Sequence, residues 1–438
     1  MAYSPHTLAE LDAAAALNQH PRVLAQLTPK ELSSSASKWT RRHLFPYRLL
    51  VSPDADFLPP LAHDHNSSCP VCASPLSEPT QTICRAQTQA LIGSTPQDLC
   101  AETDHELLKL PHGAFWVALA RAVRSEADGS PRAHPRRERR QVQHNEYVHS
   151  THAIDGSSPR TEPSCSDYDV DTSLVDDDDH AERRGKPEDV TVNLVSLFLQ
   201  QALGVCLLQH RQGRPAEVEV RPRMERQRAT AMVAGRVSIA AEDDGGICLM
   251  RRTGPGWQMR HPYWALIEAK RAFASTDTDG DPTDHFRPTI SDGNLAQYLG
   301  EAIITWKANP ELLPHSKVFL IAATNTFVRF IQFSFGCDYL QYLDAPDVET
   351  QLEIITDLGK AAHVSMQSSR WINLQSSTGR KAALCHVLAL LRWHVVQGSV
   401  HHQGDQGDLD DDDDDDGDSW VEDEDDETED SSNMDMGE

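Results

Sequence analysis

The sequence predicts an α/β protein, with residues 188–398 forming a sandwich of helices on one mixed sheet. Three observations carry that prediction. Alternating or wholly apolar strand patterns recur in this stretch, and helix-period patterns separate them. The order runs helix, strands, helix, two more strands, then helices. The flanks differ in kind: 1–125 holds short helical patterns, 126–187 is charged and rich in Ser and Pro, and 399–438 is acidic.

In chain order, HTLAELDAAAALNQ and HELLKLPHGAFWVALARAV read as N-terminal helices, separated by the loop-rich FLPPLAHDHNSSCPVCASPLSEPTQ. PRAHPRRERR and SCSDYDVDTSLVDDDDHAE follow, nearly without large aliphatics. Such a segment buries too little apolar area to offset its ordering entropy, so 126–187 is expected to be a disordered linker. DVTVNLVSLFLQQALGVCLL spaces apolar residues by three and four and reads as a helix. AEVEVRPRMERQ alternates and reads as a strand, as does ATAMVAGRVSIAAE. DDGG is a turn signal, with ICLMRR returning from it as a hairpin. HPYWALIEAKRAF is apolar on both faces, as an interior strand would be. After a polar loop, ISDGNLAQYLGEAIITWKAN reads as a helix capped by Ser291 or Asp292. SKVFLIAATN and TFVRFIQFSF are two strands around a short turn, and QLEIITDLGKAAHV and RKAALCHVLALLRWHVVQ close the region as helices.

Charge is unevenly spread. The net charge is -27, but 404–438 alone holds 20 acidic residues and no Lys or Arg, while 189–398 balances 21 acidic against 21 basic residues. The tail 399–438 is a solvated, disordered polyanion by this reading, which first of all serves solubility and self-repulsion and is also suited to basic-protein partners or to competing with nucleic acid for a cationic groove. Nine cysteines in no framework spacing indicate a reducing compartment. Neither a signal peptide nor an apolar run of the roughly 18 residues a membrane span needs is found. The expected location is intracellular, nuclear or cytoplasmic, with PRRERR resembling an import signal. GxSxG, GxxxxGK[ST] and GxGxxG are absent, which leaves serine-hydrolase, nucleotidase and dinucleotide readings without support.

The candidate chemistry centres on Tyr263–Phe273, YWALIEAKRAF. As a strand it places Trp264, Leu266, Glu268 and Lys270 on one face and Ala265, Ile267 and Ala269 on the other. Carboxylate and ammonium at the end of an apolar strand need compensation. Asp243 or Asp244 in the DDGG turn, and Gln297 with Glu301 one turn later, supply further polar groups. Acidic groups on neighbouring strand ends suit a hard cation such as Mg²⁺ or Mn²⁺. A lysine beside it can polarise the attacking water, with a depressed pKa if it serves as base. The same residues also permit a surface helix at 263–273 and a plain Asp-Gly turn.

With its spacing D-G-x(22)-E-x-K from Asp244 through Glu268 to Lys270, the region resembles the PD-(D/E)XK phosphodiesterase superfamily, of restriction-endonuclease-like fold. LIEAKR, LAQYLGEAI, VFLIAATN, FVRFIQF and DYLQYL in succession resemble a set of uncharacterised fungal members. The resemblance covers 188–398. It implies a three-layer α/β/α fold with a mixed central sheet, Asp244 and Glu268 as metal ligands, Lys270 as catalytic lysine, and Gln297 as a supporting helix residue. It implies a metal-dependent nuclease acting on DNA or structured nucleic acid, or an inactive descendant that binds nucleic acid or protein. A second alignment puts Ser238 of GRVS at the metal position, which would leave the site dead. Glu188 is the one glutamate of the early helix available to a metal.

Two further sets stand apart. Arg221, Arg223, Arg226 and Arg228 in RPRMERQR read as a phosphate-contacting groove or as a solvated strand edge. Cys69-Pro-Val-Cys72 is half of a zinc-binding pair, with His63, His65 and Cys84 nearby.

Overall fold

The computed structural model describes residues 3–69, 71–72, 84–124, 187–206, 217–235, 237–271 and 288–402. The expected linker at 126–187, except its last residue, lies outside the described residues, as do 274–287 of the polar loop and the tail from 403. The chain divides into two compact units, Met1–His394 and Val395–Glu438. Of the second, only the end of a helix is described, and residues 399–402, read as tail, belong to it.

Before residue 125 the described helices are α1 (Leu8–Leu17), α2 (Pro29–Leu32), α3 (Arg41–Leu44), α4 (Pro59–Ser68), α5 (Arg85–Ile92), α6 (Asp104–Leu108) and α7 (Gly113–Val123), with β1 (Leu49–Val51) among them. Then come α8 (Glu188–Gly204), β2 (Val218–Arg223), β3 (Arg228–Val233), β4 (Val237–Glu242), β5 (Gly246–Thr253) and β6 (Gly256–Lys270). The rest comprises α9 (Asp292–Ala308), β7 (Lys317–Thr324), β8 (Phe327–Phe335), α10 (Tyr339–Asp344), α11 (Val348–Thr356), β9 (Val364–Ser368), β10 (Ile372–Asn373) and α12 (Ser377–His402).

The protein is mixed α/β. Its large sheet runs β1-β9-β8-β7-β6-β5-β2, with β10 also on β8. β1/β9 and β6/β7 are parallel and the other neighbours antiparallel. Alternation along β7 shows how both faces are covered. Val318, Leu320 and Ala322 join one apolar cluster with Leu295 and Ile303 of α9, while Phe319, Ile321 and Ala323 join the other with Phe115, Phe198 and Leu388 of α7, α8 and α12. Burying each large aliphatic or aromatic side chain stabilises the fold by roughly 1.5–3 kcal/mol.

Residues 1–125, read as an N-terminal helical and loop-rich region, lie in the same compact unit as 188–394: β1 completes the sheet edge and α7 packs into a core. Several expectations of local structure are corrected. ATAMVAGRVSIAAE is not one strand but the β3–β4 hairpin, a separate two-stranded sheet that turns where Ala234 and Gly235 both take positive φ. DDGG therefore does not close a β4–β5 hairpin: β5 pairs with β2 and β6 instead. AAHV, read as the end of a helix, leads into β9 after α11 stops at Thr356.

In β6 the face assignment fails at one residue. Leu266 packs with Tyr263 in the α9-side cluster, but Trp264 lies with Ala265, Ile267 and Ala269 in the opposite one. The β5–β6 register shifts between Ile247 and Leu249, where β6 holds extra residues around Pro262. Pro lacks an N–H for the ladder, which makes a bulge there inexpensive.

Candidate active site

Tyr263–Lys270 is strand, not helix, and β6 lies between β5 and β7, where Glu268 and Lys270 pair with Ala322 and Thr324. The side chain of Glu268 points the same way as Leu266, and only 1% of the residue is exposed. Asp244 arrives from the segment before β5. Its N–H donates to Ile267 O at 3.0 Å, and Ile267 N–H donates back to Gly245 O at 2.9 Å. Its Oδ2 accepts from Ala269 N–H at 3.1 Å, which lays the carboxylate beside Glu268. The approach needs glycine. Gly245 has φ of 135°, and a Cβ on Gly246 would stand 2.4 Å from Ala265 O.

Helix α9 contributes the third wall. Ser291 caps it, its Oγ accepting from Asn294 N–H at 3.1 Å. One turn in, Gln297 Nε2 donates to Glu268 Oε1 at 2.5 Å and to Glu301 Oε1 at 2.9 Å. Lys270 Nζ donates to the same Glu268 oxygen. Arg226, half-exposed, reaches Asp244 Oδ1 at 3.1 Å. Asp244, Glu268, Lys270, Gln297 and Arg226 line a cleft of about 440 Å³ whose wall also includes Glu188, Arg228, Glu242, Ser35 and Ser37, with Glu301 buried behind Gln297.

Electrostatics distinguish this spot. Burial, and then the Asp244 charge, push the Glu268 carboxyl up to about 8 against the pull of Lys270. Burial likewise holds Glu301 well above the ordinary carboxylate range, helped by the neighbouring Glu268. Glu188 is also raised, by burial and Asp244, although Lys270 opposes it. Desolvation works against the Lys270 charge, but Glu268, Glu301 and Glu188 outweigh it and raise its pKa. Burial alone therefore does not depress this lysine among these carboxyls. Four acids gather beside Lys270 and Arg226, and a cluster of perturbed carboxyls at a cleft marks a candidate functional site.

The sequence-derived candidates separate cleanly. Asp244, Glu268, Lys270 and Gln297 come together. Asp243 does not join them: it is buried, holds Arg223 through bonds of 3.0 and 2.6 Å, and accepts from Gln227 N–H at 2.9 Å and Gly245 N–H at 3.1 Å. Arg223, expected in a nucleic-acid groove, has no exposed side chain, because Asp243 and the carbonyls of Gly245 and Pro262 consume its donors. Arg221 pairs with Glu219 at 2.5 Å, stacks on Trp257 at 4.6 Å and lines a different cleft, between α8 and β2. Only Arg226 and Arg228 of that set face the site. Ser238 pairs with Met232 in the small hairpin and does not line the cleft. Glu188 and Glu301 were visible as single acids. What a linear reading missed is that α8 and α9 carry both to the end of β6.

No protein-family model and no curated protein matches the chain. Among the described residues, no helix is long and apolar enough to cross a membrane.

Proposed function

We propose that the chain is a metal-dependent phosphodiesterase of restriction-endonuclease-like fold, a nuclease acting on DNA or structured nucleic acid. The observation that carries this reading is the meeting of Asp244, Glu268 and Lys270 at one strand end, roofed by Gln297. The mixed sheet with helices on both faces supports the fold assignment.

The donor set fits a hard divalent cation: it is all oxygen, buried at one end, and under-compensated in charge. Asp244 and Glu268 would hold Mg²⁺ or Mn²⁺, with Glu188 at the rim. Such an ion supplies Lewis acidity at a phosphoryl oxygen and a more acidic bound water. The chain's own residues do the rest. Gln297 fixes the Glu268 carboxyl by donating to it. Lys270, kept charged by its carboxylate neighbours, offers a cation to the oxygen on which charge grows. Arg226 and Arg228 are placed to meet flanking phosphates.

One observation weighs against nucleic acid as ligand and so favours an inactive descendant of the same fold that contacts protein. Arg223 and Arg221 are withdrawn from the cleft, which leaves few cations for a polyanion. A plasmid-nicking assay with Mg²⁺ or Mn²⁺, run beside DNA binding, decides between them. The nuclease reading requires nicking by the wild type that falls about 10²–10³-fold in Lys270→Ala and Glu268→Ala. Neither nicking nor DNA binding in any metal supports the protein-contacting descendant, DNA binding in Ca²⁺ without nicking supports an inactive nucleic-acid binder, and equal nicking by all three proteins defeats the assigned site.

A further inference from the structure

A second cluster of chemistry-bearing side chains shares no residue with the cleft. His65 lies on the last turn of α4, and Cys69 is its C-terminal cap, with its N–H donating to His65 O at 3.1 Å. The chain then turns tightly, Cys72 N–H donating to Cys69 O at 3.3 Å, which brings Cys72 back beside both. The fourth member comes from α12: Cys385, buried and more than 300 residues away, meets Cys69 and Cys72. One donor atom from each of the four residues lies within 4.8 Å of all the others.

We propose that His65, Cys69, Cys72 and Cys385 bind one zinc ion as a closed structural site. The edge lengths carry the argument. Zinc bonds of about 2.3 Å to sulfur and 2.0–2.1 Å to nitrogen, set tetrahedrally, imply S···S edges near 3.8 Å and S···N edges near 3.6 Å. Cys69 Sγ and Cys72 Sγ each lie 3.6 Å from Cys385 Sγ, and Cys72 Sγ lies 3.5 Å from His65 Nε2. A disulfide would use only two of the three thiols, whereas three thiolates and an imidazole complete a Cys₃His set with no position left for water or substrate.

The surroundings hold this geometry in advance. The His65 ring stacks on Phe57 at 4.3 Å, and Phe57 stacks on His386 at 3.9 Å. Leu58 N–H donates to His386 Nε2 at 3.1 Å, so the segment before α4 is already docked on α12 next to Cys385. Outer partners that orient ligands in this way raise a site's affinity. The half-site read at Cys69–Cys72 is thus completed by Cys385 and His65, and Cys84 is not among the clustered donors. The His63 side chain lies outside the described residues. The ion would tie α4 and the turn after it to the C-terminal helix.

The test is elemental analysis of the full chain, purified without chelator from zinc-supplemented cells, with circular dichroism to verify folding. About one zinc per chain is expected. Cys72→Ser, at an exposed position, should fold yet lose most of the metal, as should Cys385→Ser where it folds. Cys337→Ser, an exposed cysteine outside the cluster, should keep it. Stripping the metal with a mercurial and a chelator should lower Tm by about 5 °C or more and open protease cleavage within 59–72. Zinc below roughly a fifth of an equivalent in the wild type overturns the proposal. So does equal zinc in wild type and Cys72→Ser, or a Cys69–Cys385 disulfide in protein kept under reductant.

Discussion

Asp243 and Asp244 are adjacent in sequence, buried, and opposite in circumstance. Asp243 is saturated: a bidentate guanidinium and two backbone amides occupy its oxygens. Asp244 takes one amide and a half-exposed arginine, and faces two further carboxyls, Glu268 and Glu188. The first arrangement closes on itself and holds β2, β5 and β6 together. The second leaves charge in want of a partner. Where a buried charge is fully matched it builds the scaffold, and where matching is incomplete the site is open to a ligand.

The largest stability effect should come from breaking the saturated pair. Arg223→Ala leaves a buried carboxylate without its cation and should destabilise by about 3–5 kcal/mol, read as a lower urea midpoint. If the chain tolerates this change within about 0.5 kcal/mol, the pair is not the lock described here.

Glu268→Gln should act in the reverse sense. It keeps the shape and removes a carboxyl whose folded pKa, near 8, lies above its ordinary 4.5. Such a group is protonated in both states below pH 4.5, and stability falls as pH rises from there toward 8. At pH 8 the amide variant should therefore be at least as stable as wild type, gaining about 1–3 kcal/mol, while nicking falls about 10²-fold or more. A destabilised Glu268→Gln would mean that Glu268 is a structural acid like Asp243.

A third kind of buried group extends the contrast, because the charged groups bearing on it are other histidines, His261 and His315. His394 stacks on Trp264 at 4.3 Å and hydrogen-bonds Trp264 O through Nε2 at 2.9 Å. Burial lowers its pKa from 6.5 to about 3. Below pH 6.5 the unfolded chain takes up a proton that the folded one refuses, so its contribution is complete above 6.5 and shrinks as pH falls. From pH 8 to pH 5 this amounts to about 2 kcal/mol. Chemical denaturation at the two pH values should show a smaller difference for His394→Gln than for wild type.

Much of this was legible in the sequence, because the signals were local. The apolar run into Glu268 and Lys270 marks an interior strand with charges at its end, and Ser291 marks the start of α9. What escaped depends on distant partners. Alternation places Arg223 on a face but cannot reveal that Asp243, 20 residues later, buries it. Nor does it reveal the bulge near Pro262 that sends Trp264 to the other core. β1 is three residues long and β9 five, and they pair only with segments far along the chain, so neither shows a period of its own. Cys385 carries no motif and acquires meaning only beside Cys69 and Cys72.

If the incompletely matched carboxyls at the end of β6 await a divalent cation, titrating Mn²⁺ into the full chain at pH 8 and following it by electron paramagnetic resonance should reveal the site. The wild type should take up Mn²⁺ at a site competed by Mg²⁺, and Asp244→Asn and Glu268→Gln should each weaken it at least about tenfold, equivalent to 1.4 kcal/mol. Binding of equal strength in wild type and both variants would contradict the account, as would no binding by the folded wild type.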